Sequence, residues 1–302
     1  MTTATPVRAG SRRRPAAQLT QPPSTHEEQL RLFSTALTVV GILALWFAAQ
    51  VLFLGSLSQD REQALLHDRF RSDLATAVAP VGPVVPERTP VSLLTVPGLG
   101  LEQVVVEGTS SGALLSGPGH RRDTPLPGQV GTSVIYGKGA TYGAPFGRIA
   151  ELTAGDRIEV VAGQGTQVFT VTGIRRAGDP LPARPVEQEA RLTLVSAEGT
   201  GRLAALSRGE VVYVDASAKE GFPAPAGRLG AVPEEERAMA VDQAILPRLA
   251  LLLGLLVGAT ALIVLLRQRW SGVLTWVMAT PVVLALSWAT TDAAMRLLPN
   301  LV

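Results

Sequence analysis

Three uncharged apolar runs bracket a polar middle, and this arrangement limits what the chain can fold into. Leu32 to Gln59 carries no charge, Leu249 to Leu266 is an uncharged run of 18 residues, and Trp270 to Thr291 is a further run of 22. A helix rises about 1.5 Å per residue, so roughly 20 apolar residues cross the ~30 Å hydrocarbon layer of a bilayer. Transmembrane helices are therefore expected over 33–57, 248–266 and 270–291. A cleaved signal peptide would have a shorter core of about 7 to 15 residues and a small-x-small cleavage site, so the first run reads as an uncleaved anchor. A length of 302 residues would allow two domains, but the 46% hydrophobic share is concentrated in the three runs. Only the stretch 91–217 is left to build a globule.

The flanking segments set a topology. Residues 1–32 are rich in Thr, Pro, Gln and Arg and cannot bury a core, so they read as a disordered basic cytoplasmic tail. Arg8, Arg12, Arg13, Arg14 and Arg31 in that tail, and Arg267 and Arg269 between the last two spans, belong inside by the positive-inside rule. The middle block and the C-terminus then lie outside the cytoplasm, as expected of a multi-pass protein of the cell membrane. Within 58–90, Ser58 to Val78 carries Leu66, Phe70 and Leu74 at four-residue spacing, with Ser58 or Asp60 placed as a cap. A stalk helix is predicted there, followed by an extended spacer through Pro80, Pro83, Pro86 and Pro90. Residues 218–247 form a linker to the second span.

Composition removes several functions. The net charge is +2 and the arginines cluster at membrane flanks, which gives no basis for a nucleic-acid partner. With no cysteine in the chain, disulfides, thiolate metal sites and thiol nucleophiles are all excluded. His26, His67 and His120 are too scattered to make a metal site by spacing, and no cofactor is expected.

Inside the block the segments are short, β-branched and punctuated by glycine, which argues for antiparallel strands. Seven are expected: Leu93 to Val96, Leu101 to Val106, Thr132 to Tyr136, Arg157 to Ala162, Gln167 to Ile174, Arg191 to Ser196 and Glu210 to Val214. Gly163 to Thr166 should join the fourth and fifth as a hairpin. Pro180, Pro182 and Pro185 make the Arg175 to Ala190 connection a surface loop. The prediction is a mainly β protein, a closed or nearly closed barrel, with one N-terminal and two C-terminal transmembrane helices.

Five pieces of the block share an order and spacing: Leu94-Thr-Val-Pro97, Val105-Val-Glu-Gly-Thr109, Gly117-Pro-Gly-His120, Ser133-Val-Ile-Tyr-Gly-Lys-Gly139 and Arg191-Leu-Thr-Leu-Val-Ser-Ala197. Together they resemble the sortase family, in a degenerate, membrane-anchored, actinobacterial-type form. The resemblance implies a closed barrel of about seven to eight strands. It also implies a site where a cysteine thiolate attacks a peptide carbonyl in a sorting signal of the Leu-Pro-x-Thr-Gly kind, a histidine moves the proton and an arginine steadies the substrate. Sortases typically read Thr-Leu-x-Thr-Cys where this chain has Thr193-Leu-Val-Ser-Ala197, and Gly-His where it has Gly137-Lys138. Arg208 stands two residues out of register with the family arginine, where Glu210 would fall. No catalytic residue is therefore expected, because Ala197 has no heteroatom and a thiolate is what makes such chemistry run near neutral pH.

Two readings of function remain. One is a non-catalytic sortase-like module that binds a sorting-signal-like peptide or a cell-envelope protein and serves as accessory to an active sortase. The other is an acyl-transferring or hydrolytic enzyme using Ser196 with Lys138 as base. Side chains alternate along a strand, so if position 197 faces the cleft Ser196 faces away, a strand hydroxyl. Lys138 is either a cation at the cleft that holds a peptide carbonyl or carboxylate, or a solvated loop lysine. Tyr136, Tyr142, Phe146 and Thr193 are the candidates for lining a peptide groove alongside Lys138. His120 reads as structural. Leu-Pro pairs occur at Leu126, Leu181, Leu246 and Leu298, but none continues as Thr-Gly, so the chain is not expected to be a sorting substrate itself.

Overall fold

The computed structural model describes residues 54–198, 209–267 and 272–302, together with short helical stretches between 33 and 50. Contacts divide the chain into a unit of residues 1–44, helical where it is described, and a unit from Leu45 to Val302. All that follows concerns the second unit. The basic tail, the Arg269 turn and Arg208 lie outside the described residues.

Eight strands close into a barrel: β1 (Pro90–Val96), β2 (Leu101–Glu107), β3 (Gly119–His120), β4 (Gly131–Tyr136), β5 (Arg157–Ala162), β6 (Gly165–Arg176), β7 (Ala190–Glu198) and β8 (Glu210–Ala218). Their order around the barrel is β1-β2-β3-β4-β7-β8-β6-β5, and β5 returns to β1. Two-residue periodicity places Leu94, Val96, Ile135, Ile158, Val160, Phe169, Leu192, Leu194 and Val214 on the inside, where they form one core. The eighth strand is the short β3, too brief to show a pattern of its own.

The expectation of antiparallel strands throughout is corrected at two places. β2 pairs with β3 in parallel, and so does β4 with β7. Consecutive strands joined by tight turns run antiparallel, but β4 reaches β7 only through the whole β5–β6 hairpin, and such a crossover lets neighbours run the same way. The hairpin is also tighter than Gly163 to Thr166: Ala162 pairs with Gly165, so only Gly163 and Gln164 turn. The proline-rich connection from β6 to β7 is exposed as expected, pinned by the Arg191 guanidinium to the Ala183 carbonyl and to Glu189.

The segments around the barrel are packed onto it. Helix α1 (Gly55–Ala75) starts before Ser58, so neither Ser58 nor Asp60 caps it, and its N-terminal neighbour Leu54 is already helical. Leu66 and Phe70 are buried against Val104 and Val106 of β2 and against Ala113 of the short α2 (Ser111–Leu114). Gln63 accepts from the Val104 amide at 2.7 Å and donates to the Ser116 carbonyl at 2.8 Å. In the spacer Ala79 and Val85 are buried, and Gln129 donates to the Val81 carbonyl. After β8, Phe222 exchanges backbone bonds with Gly128 and Val130. Further on, Glu236 pairs with Arg122 and its carbonyl accepts from Thr109.

Helices α3 (Leu246–Arg267) and α4 (Gly272–Met295) pack on each other, and both are long and apolar enough to cross a membrane. Pro281 sits inside α4. That helix continues past 291 through Asp292 to Met295, with the Thr290 and Thr291 hydroxyls donating to the Leu286 and Ser287 carbonyls four residues back.

Candidate functional site: a groove on the outer face of the barrel

β7 separates the barrel core from a groove. Leu192 and Leu194 point into the core, while Thr193, Val195 and Ala197 point outward. β4 lies beside it in parallel with Tyr136 opposite Val195, so Lys138 and Ala197 leave the ladder together. The Gly137 amide continues the pairing to the Val195 carbonyl at 3.0 Å. The chain is then so close to β7 that a side chain at Gly139 would collide with the Ala197 carbonyl, and one at Gly137 with the Phe146 ring. Both glycines flanking Lys138 are thus required by close approach.

One end of the groove is open, a cavity of about 580 Å³ floored by Tyr136, Thr193, Val195 and Tyr213 and walled by the 181–185 loop. Thr193 donates to Asp215 at 2.7 Å, Arg175 pairs with the same carboxylate, and the Arg175 guanidinium carbon lies 4.4 Å from the centroid of Tyr213. Burial pushes the Tyr136 phenol above its ordinary pKa, so it stays a neutral donor.

The other end is filled. Ala197 is 6% exposed and belongs to an apolar cluster with Leu114, Tyr136, Val195, Leu301 and Val302. Lys138 is 0% exposed and donates to the main-chain oxygen of Val302 at 2.8 Å, beside the Thr141 hydroxyl, which donates to the same atom at 2.7 Å. The reading of Lys138 as a solvated loop lysine is therefore corrected. Burial lowers its pKa from 10.5 to about 7, since the ammonium loses its water.

The other candidates divide. Ser196 is buried on the core side of β7 and donates to the Gly137 carbonyl at 3.0 Å, as its alternation with Ala197 requires. Phe146 is in the barrel core and not in the groove, because the turn after β4 folds it under Gly137. Tyr142 packs with Leu115 and Met295 and donates to Asp292 of α4 at 3.1 Å, so it joins the barrel to a helix. Its phenol pKa is raised by burial and, secondarily, by Asp292. His120 is buried between Glu107 and the Pro125 carbonyl, 2.8 Å from each. Sequence reasoning missed Arg175, Tyr213 and Asp215, which alternate along β6 and β8 with no motif to mark them. It also missed Leu301 and Val302, whose only signal is a Leu-Pro pair at Leu298-Pro299.

Residues 94–208 match the family model of the Sortase domain. The barrel belongs to the sortase family. Among solved structures the chain is similar to a Clostridium perfringens Sortase D5 transpeptidase, at 18% identity over 53% of this chain and 98% of that one, TM-score 0.41. It is also similar to the SrtA sortase of Actinomyces oris, at 29% identity over 46% and 84%, TM-score 0.39. A third is the SrtF sortase of Corynebacterium diphtheriae, at 22% identity over 52% and 97%, TM-score 0.39. No curated protein matches the chain. In this sortase barrel the positions that the resemblance assigns to cysteine and histidine hold Ala197 and Lys138, and they sit together at the filled end of the groove. What stands there can donate hydrogen bonds to a peptide oxygen. Ala197 offers a methyl group and cannot attack a carbonyl.

Proposed function

We propose that the chain is a membrane-anchored, extracytoplasmic sortase-like protein without transpeptidase chemistry. It binds an extended peptide or a cell-envelope protein in its groove and acts as accessory to an active sortase. Ala197 carries this reading: a sortase whose nucleophile position holds a methyl retains a groove but no group to form an acyl-enzyme. Backbone hydrogen bonds and side-chain pockets hold an extended peptide without the thiol. Thr193, Tyr136 and Lys138 are the side chains to which the binding is assigned.

The test is incubation of the full chain in detergent with Leu-Pro-x-Thr-Gly peptides and an amine acceptor, read by mass spectrometry. Intact peptide is expected. Cleaved or joined products that vanish in Ser196→Ala would replace this reading with a serine enzyme.

The proposed topology keeps the arginine-rich tail and the Arg267/Arg269 turn inside and the barrel and the C-terminus outside, on three spans. Because the chain has no cysteine, single cysteines can be labelled from outside intact cells. Labelling is expected at Gly163→Cys and none at Arg12→Cys; the opposite pattern would invert the topology.

A further inference from the structure

After α4 the chain turns through Leu297 and Leu298 and lays Pro299 to Val302 on the outer face of the barrel, where Asn300, Leu301 and Val302 are all buried. Polar bonds fix this segment along its length. The Asn300 amide donates to the Ala240 carbonyl at 3.0 Å, and its side-chain nitrogen to the carbonyls of Thr109 at 3.0 Å and Arg237 at 2.7 Å. Gly139 donates its amide to the Leu301 carbonyl at 2.8 Å, and Lys138 and Thr141 converge on the Val302 oxygen. The two aliphatic side chains meet Leu114, Tyr136, Val195 and Ala197. Main-chain oxygens read by donors and side chains read by an apolar pocket are the contacts that a protein makes to a bound peptide.

The occupied pocket adjoins the open cavity, since Tyr136 and Val195 belong to both. A fully buried lysine is costly to keep in a packed core, and an ordinary hydrophobic residue would fill the space. A site that must receive a peptide oxygen gives it a use.

We propose that the pocket made by Lys138, Thr141 and the outer face at Ala197 is a peptide-binding site whose resident ligand is the chain's own Pro299–Val302. An outside peptide with the same chemistry, a main-chain oxygen for Lys138 and an adjacent Leu-Val pair, enters only when that segment withdraws. The inference rests on the groove being a binding site and names the ligand of its closed end.

The experiment uses the full chain in detergent and a fluorescein-labelled Leu-Pro-Asn-Leu-Val peptide, read by anisotropy. Three forms are compared: wild type, a Leu301→Ser/Val302→Ser variant, and that variant with Lys138→Met added. The segment variant is expected to bind at least tenfold more tightly than wild type, and Lys138→Met to remove the gain. As a second readout, Ala197→Cys places a lone thiol under the segment. It should react with maleimide at least tenfold faster when the segment is weakened, with circular dichroism showing the barrel intact. If Leu301→Ser/Val302→Ser does not fold, Asn300→Ala takes its place in both measurements. Equal affinities, or equal thiol rates, would overturn the proposal. A faster thiol without peptide binding would overturn it as well, leaving the segment as packing. Cleavage of sorting-signal peptides by wild type would sink the non-catalytic reading while leaving the affinity order intact, so the two failures are separable.

Discussion

At the loop end of the groove, Thr193, Tyr213 and Asp215 line an open cavity; at the far end, four residues along β7 from Thr193, Ala197 lies under Leu301 and Val302. Both ends are built from the same outward face of one strand. The open end keeps an interlocked polar set, Thr193 on Asp215 and Arg175 across both Asp215 and Tyr213. The closed end presents only a methyl group at 197 and is packed with apolar side chains around one lysine. Catalytic groups act as a unit, so losing one removes the use of the rest. The determinants of peptide binding are spread along the backbone and survive that loss. On the proposed reading, an incoming peptide meets the open end first, and the closed end holds the chain's own Leu301 and Val302 over Ala197.

The largest expected effect is at Lys138. Its pKa is near 7 in the fold and 10.5 when exposed, so between those values the unfolded chain binds the extra proton. Stability should consequently rise as pH climbs from about 7 to 10.5, by about 5 kcal/mol for this group. Below pH 7 both states carry the proton and the cost of burying the charge is fully present. Thermal unfolding of wild type against Lys138→Met at several pH values isolates the effect: the two curves should converge with rising pH. A constant difference would mean that the lysine is not desolvated.

Next in size is Leu301→Ala, expected to cost about 3 kcal/mol because it opens space in a cluster where Leu301 is fully buried. Asn300→Ala should cost about 2 kcal/mol, since it leaves the buried Thr109 carbonyl without its donor and takes one of two donors from the Arg237 carbonyl. At the open end, Thr193→Val should cost about 1 kcal/mol or less in stability. It should nevertheless weaken peptide binding, as should Arg175→Ala. If the open-end substitutions destabilised the fold as much as those at the closed end, the division between a binding end and a packed end would fail.

Much of the barrel was legible because two-residue alternation is a local signal. The strand bounds fell within a few residues, and the opposite faces of Ser196 and Ala197 followed from the alternation alone. Parallel neighbours were not legible, since β4 and β7 are separated by an entire hairpin and local pattern carries no information on which distant strand comes alongside. Phe146 and Tyr142 were misassigned to the groove for a related reason: proximity to Lys138 in sequence does not say which way a turn folds. Lys138 between glycines looks like a solvated loop, and its burial depends on Val302, which is 164 positions away. The helix and spacer before the barrel showed their apolar spacing, but Leu66 and Phe70 revealed their partner on β2 only in three dimensions.

The central claim is that this sortase barrel binds without forming an acyl-enzyme, and the intact mass of the protein tests it most directly. Full-length wild type would be incubated with a Leu-Pro-x-Thr-Gly peptide, quenched in acid and weighed, beside an Ala197→Cys/Lys138→His variant. No mass increase is expected in wild type or in the variant, because Leu301 and Val302 still cover residue 197. A wild-type adduct matching the acyl portion of the peptide, mapped to Ser196 or any other residue, would contradict it.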